Sequence, residues 1–175
     1  DVASSLAVKD HLAKATPSAS FYDAPVSGGV LGAVNGTLAF FVGSAEDDGN
    51  AALLSELLQL LGQSIIFCGR PSLGLVAKLC NNYLLGIINI ANAEAMNLGI
   101  RSGLDPNVLY QLLGKGAAKN VLCEMNNPVP GVAPASASSK GYKAGFRMQL
   151  MAKDMSLALS MAQLNGSRLF LGEGS

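Results

Sequence analysis

GLVAKLCNNYLLGIINIANAEAMNLG, residues 74–99, is long, largely apolar and free of proline. That length and its helical periodicity predict one long buried helix over roughly residues 72–101. On it Gly74, Lys78 and Asn82 recur every four residues and share one side. An ammonium and a carboxamide one turn apart on such a helix are costly to bury unless they are paired or used. Residues 84–93 are strongly apolar, but Asn81, Asn82, Asn89, Asn92 and Glu94 interrupt the run. The segment therefore reads as a core or interface helix and not as a membrane span.

On either side of it the pattern changes. SSLAVKDHLAKA (4–15) has helical spacing and is ended by Pro17 and the serines around it. FYDAPV (21–26) reads as a short buried strand, SGGVLGAVNGT (27–37) as a glycine-rich turn, and LAFFVG (38–43) as a second strand. Ser44 is placed to cap a helix with Glu46, Asp47 and Asp48 in its first turn, running on through LLSELLQLLG. SIIFCG (64–69) reads as a third strand. Three strands with one helix among them form the edge of an α/β sheet. After Pro71 the chain reads as helix to about residue 127, with Gly103 stopping the long helix and Pro106 opening the next. NNPVPGVAPASASSKGYKAG (126–145) is a long Pro/Gly/Ser-rich loop, of a kind that is usually functional or mobile. Phe146 leads into a last helix over 147–164. Both ends read as cuts through a longer protein.

Half of the 175 residues are hydrophobic and 14% are charged, with formal net charge zero. The apolar excess points to much buried helix and to an oligomer interface. No basic tract or basic aromatic-rich patch is present, so nucleic acid is not expected as a partner. Cys68, Cys80 and Cys123 are odd in number and lack CxxC spacing. They read as reduced thiols in an intracellular compartment, not as a disulfide or zinc framework. The single His11 offers no metal site and reads as a solvated helix residue.

Three constellations can carry chemistry. Ser27-Gly28-Gly29 follows a strand and can present a hydroxyl and closely spaced N–H groups to an anion. An ordinary tight turn is the simpler reading from spacing alone. The chain holds neither GxGxxG nor GxxxxGK[ST], hence no nucleotide-phosphate loop. Lys78 and Asn82 can act as a general acid or base and an orienting amide. Against that stands a lysine snorkelling from the helix, with the asparagine bonded to a loop. Lys153-Asp154 can face a cofactor or substrate, but composition alone makes it a solvated charge pair. Phe146 reads more simply as core than as pocket lining.

FYDAPVSGG, GLVAKLCNNYLLG, AEAMNLGIRSGLDPNVL, NPVPGV and GFRMQLMAKDMSLAL, in this order and at this spacing, resemble the 3-hydroxyisobutyrate dehydrogenases of the wider β-hydroxyacid dehydrogenase family. The resemblance runs from about residue 1 to 171. It implies the α/β edge of a Rossmann domain followed by an all-α domain built on one long central helix, like the C-terminal domain of 6-phosphogluconate dehydrogenase. It divides the chain into a remnant of a dinucleotide-binding domain, 1–70, and a helical domain, 71–175. It implies NAD as cofactor, with the binding loop absent from this chain, and oxidation of a small 3-hydroxy acid to a semialdehyde in valine catabolism. Related tartronate, succinic or glyoxylate semialdehyde reductases, and a non-catalytic oligomerisation fragment, are the alternatives. By the same resemblance Ser27, Gly28 and Gly29 hold the substrate carboxylate, Lys78 is the catalytic lysine, and Asn82 orients substrate. Lys153 and Asp154 lie by the nicotinamide, Gly74 lets the cofactor approach the helix, and Phe146 lines the pocket. A homodimer or homotetramer follows, in the mitochondrial matrix of a eukaryote and otherwise in the cytoplasm. CGRPSLG departs from the pattern, since relatives usually carry an extra glycine between Gly69 and Gly74. DVASSL also departs, replacing the family's Ser/Thr-rich phrase after Asp1.

Overall fold

The computed structural model describes residues 1–143 and 146–172. The chain divides into two compact units, the first built from Asp1–Asn81 with Ser156–Gly166, the second from Asn82–Met155 and the stretch from Ser167.

The first unit opens with α1 (Val2–Ala15), close to the helix expected over 4–15 and capped by the Asp1 carboxylate, which accepts from Ser4 N–H. His11 is exposed on it, as expected. The strand expected over 21–26 shrinks to β1 (Val26–Ser27). Upstream of it the segment still runs beside β2 (Leu38–Val42): Phe41 N–H donates to Pro25 C=O and Gly43 N–H to Asp23 C=O. Pro25 has no N–H to return, so the reciprocal ladder stops there. The expected 27–37 turn also holds a short helix, α2 (Gly29–Val34), with Gly28 at φ 135° and Gly29 at φ 62° ahead of and inside its first turn.

β2 pairs antiparallel with β1 and parallel with β3 (Gly62–Phe67). β3 starts two residues before the strand expected at 64–69. Gly62 explains the difference: a Cβ there would stand 2.4 Å from Leu38 C=O, so only glycine lets the backbones meet. Ser44 does not cap a helix. It is buried just beyond β2 and its C=O accepts from Gly69 N–H, while α3 (Ala51–Gln59) begins later, after Asn50. Asp48, expected in the first helical turn, precedes the helix. Its carboxylate accepts from Asn50 N–H and Tyr22 O–H, each at 2.8 Å, and these bonds hold its pKa below the usual value.

α4 (Leu73–Arg101) is the long helix expected over 72–101. It is long and apolar enough to cross a membrane by length and composition. Its Asn82 and Asn92 are buried in hydrogen bonds to other parts of the chain, but most of the helix is not buried, with Leu84, Ile90 and Leu98 exposed, so the expected buried helix is only partly core.

In the second unit α5 (Pro106–Lys115) carries Pro106 in its first turn, and the Asp105 carboxylate accepts from Asn107 and Val108 N–H. α6 (Val121–Met125) is capped by Asn120, whose amide also exchanges two hydrogen bonds with Asn92 of α4. Met96, Leu109, Leu113, Cys123 and Val132 form the core, with Tyr110 and Val129 against it. Gly99 lets α5 close on α4, because a Cβ there would stand 2.5 Å from Leu109 Cδ2. The long loop is stitched to itself. Ser138 Oγ donates to Asn127 C=O, Ser136 and Ser139 Oγ both donate to Ala133 C=O, and Ser136 and Ser138 are buried. Positions 144 and 145 of that expected loop lie outside the described residues. α7 (Met148–Leu164) is the expected last helix.

Candidate functional site

Asn82 and Asp154, 72 residues apart, meet within the second unit. Asn82 is 3% exposed, and its Nδ2 donates to Asp154 Oδ2 at 2.6 Å. A carboxylate only accepts, so the amide atom facing it must be the nitrogen, and the rotation of the amide is fixed. Asp154 is itself buried, and its other oxygen receives Lys153 Nζ at 2.9 Å. Lys153 keeps 59% of its side chain exposed. The pair that composition reads as fully solvated is therefore a buried carboxylate joining a buried amide to an exposed ammonium. Glycine makes the approach of α7 possible. A Cβ on Gly86, one turn beyond Asn82, would lie 2.8 Å from Met155 Sδ and 3.5 Å from Met151 Sδ.

Lys78 and the Ser27–Gly29 loop belong to the first unit. Lys78 is half-buried one turn before Asn82 on α4. Ser27 is half-buried in β1, and Gly28 and Gly29 are exposed with positive φ, which glycine adopts without strain. Gly74, assigned by resemblance to cofactor approach, has a reason of its own. A Cβ there would stand 2.2 Å from Phe41 C=O and 2.8 Å from Asp23 Oδ2. Phe146 is 58% exposed and takes no part in the core, contrary to the simpler reading of its type.

Asp23 was not singled out by the sequence. It is a buried carboxylate whose Oδ1 accepts from Ser72 N–H at 2.5 Å and Oδ2 from Leu75 N–H at 2.9 Å, at the amino end of α4. The usable signal was a lone acid inside the apolar phrase FYDAPV.

The arrangement excludes some chemistry. Burial pushes the Cys68 and Cys123 thiols up, so neither is an activated nucleophile. Among the described residues no three His, Cys, Asp or Glu side chains are grouped to hold a metal ion. Lys153 keeps an exposed ammonium, a donor of the kind a cofactor carboxamide accepts, whereas the Asn82 amide is buried with its nitrogen bonded to Asp154. The sequence holds no glycine-rich loop for a pyrophosphate.

The comparisons with known proteins agree with this layout. A family described as the NAD-binding region of NADP-dependent 3-hydroxyisobutyrate dehydrogenase matches residues 73–174. The NAD-binding domain of 6-phosphogluconate dehydrogenase matches residues 3–69. The mitochondrial 3-hydroxyisobutyrate dehydrogenase of Homo sapiens is 46% identical over 168 residues, 95% of this chain and 49% of its own length. That of Mus musculus is 47% identical over 154 residues, 88% of this chain and 45% of its own. The structure of Mycobacterium tuberculosis 3-hydroxyisobutyrate dehydrogenase with L-serine superposes with a TM-score of 0.87 at 35% identity, over 99% of this chain and 58% of that one. The chain thus spans about half the length of the curated relatives it matches. A small sheet carrying a Ser-Gly-Gly loop, a long helix with Lys78 and Asn82, and family matches that change over between residues 69 and 73 agree on one lineage, and the chain belongs to the 3-hydroxyisobutyrate dehydrogenase family.

Proposed function

We propose that this chain is the substrate-handling part of an NAD-dependent dehydrogenase that oxidises the primary alcohol of a small 3-hydroxy acid, 3-hydroxyisobutyrate, to its semialdehyde. The observation that carries the reading is the Asn82–Asp154–Lys153 network, one helical turn from Lys78. Asp154 fixes the Asn82 amide, and a fixed amide can hold a hydroxyl in one orientation. Lys78 takes the hydroxyl proton as the alcohol carbon gives up its hydride. Ser27 Oγ and the N–H groups of Gly28 and Gly29 hold the substrate carboxylate, an anion suited to closely spaced backbone donors. NAD, when bound, supplies the hydride acceptor. The family resemblance assigns Lys153 to the nicotinamide part of the cofactor and Phe146 to the substrate pocket. Gly74, which packs against Phe41 C=O and Asp23, is also proposed to let the cofactor approach α4.

The change of family match between residues 69 and 73 supports a boundary near 70 between the dinucleotide-binding and helical parts. L-serine, held by the Mycobacterium tuberculosis relative, shares with 3-hydroxyisobutyrate a carboxylate and a primary 3-hydroxyl, which supports this substrate class. Valine breakdown is then the setting, in the matrix if the source is eukaryotic. Self-association is part of the proposal, because Leu84, Ile90 and Leu98 of α4 are exposed. A clean monomer in sedimentation at micromolar concentration would refute that part.

The test of the function is turnover by the full-length gene product with NAD or NADP against 3-hydroxyisobutyrate, L-serine and tartronate, succinic and glyoxylic semialdehydes. The expected result is the highest kcat/KM on 3-hydroxyisobutyrate. A preference of tenfold or more for a semialdehyde under reducing conditions would replace it with the sibling reductase.

A further inference from the structure

Two features of the first unit have so far been separate: a loop proposed to hold a carboxylate, and a helix that carries Lys78. Asp23 ties them together. It lies four residues before Ser27, and its buried carboxylate reaches Ser72 N–H at 2.5 Å and Leu75 N–H at 2.9 Å, where α4 begins. Its backbone C=O accepts from Gly43 N–H at 2.8 Å, which fixes the same residue to the end of β2.

Space for the carboxylate is made by two absent side chains. A Cβ on Gly43 would stand 1.9 Å from Asp23 Oδ1, and one on Gly74 would stand 2.8 Å from Oδ2. Asp23, Gly43 and Gly74 thus form one device assembled from three distant points of the sequence. The first N–H groups of a helix have no partner inside it, and a carboxylate there accepts charge-assisted bonds that also suit the helix dipole. Lys78 sits one turn beyond Gly74 on the same rigid helix, so whatever fixes residues 72–75 fixes the root of Lys78.

We infer that Asp23 is a positioning residue for the reaction, holding the start of α4, and hence Lys78, in register with the Ser27–Gly29 loop. This rests on the function proposed above. Substrate held at its carboxylate by one end of the device and deprotonated at its hydroxyl from the other reacts only when the two ends keep their spacing, and small misplacements are expensive in rate.

The experiment compares Asp23→Asn with wild type in the full-length gene product. It takes Leu113→Ala, in the core of the second unit, as a destabilising control. Asparagine is nearly isosteric, but its NH2 must face one of the two N–H donors, so one bond is lost. With 3-hydroxyisobutyrate and saturating NAD, Asp23→Asn should lower kcat tenfold or more per folded molecule and change KM for the hydroxy acid less than threefold. Leu113→Ala, corrected for folded fraction, should change neither. Amide hydrogen exchange at Ser72 or at Leu75, whichever loses its acceptor, should speed up at least tenfold in Asp23→Asn, a readout independent of turnover. If Asp23→Asn is mostly unfolded, Asp23→Ser, whose single and shorter-reaching oxygen cannot replace both carboxylate oxygens, is read the same way. A kcat within twofold of wild type in a folded variant, or unchanged exchange at both Ser72 and Leu75, would overturn the inference. Loss of wild-type turnover on every hydroxy acid, with exchange still altered, would overturn the proposed function and with it Asp23's role in a reaction.

Discussion

Ser72 lies within CGRPSLG, the stretch that departs from the family pattern. Its φ is 69°, in the left-handed region, directly before α4, and its Oγ is bonded to Ser5 Oγ at 2.9 Å. A side chain there costs roughly 1–2 kcal/mol in backbone strain, part of which glycine returns as unfolded-state entropy. Ser72→Gly and Ser72→Ala both lose the bond to Ser5, and only the first relieves the strain. Ser72→Gly should therefore be the more stable of the two by about 0.5–1 kcal/mol in chemical denaturation. Asp154 gives a second test at this scale. Asp154→Ala removes the acceptor of a buried amide, which costs about 1–3 kcal/mol. Asp154→Asn can turn its carbonyl toward Asn82 and should cost less than half as much, while still releasing Lys153. The sequence placed Asn82 and Lys153 among the candidates but could not show their connection. The Asn82–Asp154 bond spans 72 residues, and no local spacing encodes it.

Among the elements, legibility followed how local the signal is. α5 was readable because Asp105 and Pro106 stand side by side at its start. Asp105→Ala should cost about 1 kcal/mol, with Asn in its place nearly neutral, as measured by thermal unfolding. α4 was readable because an apolar, proline-free run extends over most of its 29 residues. β1 was overextended because the missing donor of Pro25 matters only once β2 lies beside it. Ser44 resembled a cap, with acids following, but it is buried beyond β2 with its C=O taken by Gly69 N–H, so the helix starts later. The 126–143 loop looked open because its composition is that of a linker. Its serines turn inward onto its own carbonyls, an arrangement that composition does not specify.

For the whole molecule, the resemblance named a two-part enzyme and the family matches follow the same division. Lys153 is only proposed to meet the nicotinamide end of a cofactor, and the 175-residue chain contains no glycine-rich phosphate motif in its sequence. By itself it should show no NAD binding in calorimetry at a cofactor concentration of about 1 mM, the weak end of common enzyme affinities. Binding near 10 μM would mean that a phosphate site exists outside any glycine-rich motif. The central claim is that Lys78 moves the proton of the substrate hydroxyl, and the most direct measurement is turnover by the full-length gene product carrying Lys78→Ala. With 3-hydroxyisobutyrate and NAD, and folding verified by circular dichroism, kcat should fall about 10²–10⁴-fold. Lys78→Arg should not restore it, because guanidinium stays protonated and is larger. Retention of more than about a tenth of wild-type turnover by folded Lys78→Ala would contradict the account and leave Lys78 a lysine snorkelling from its helix.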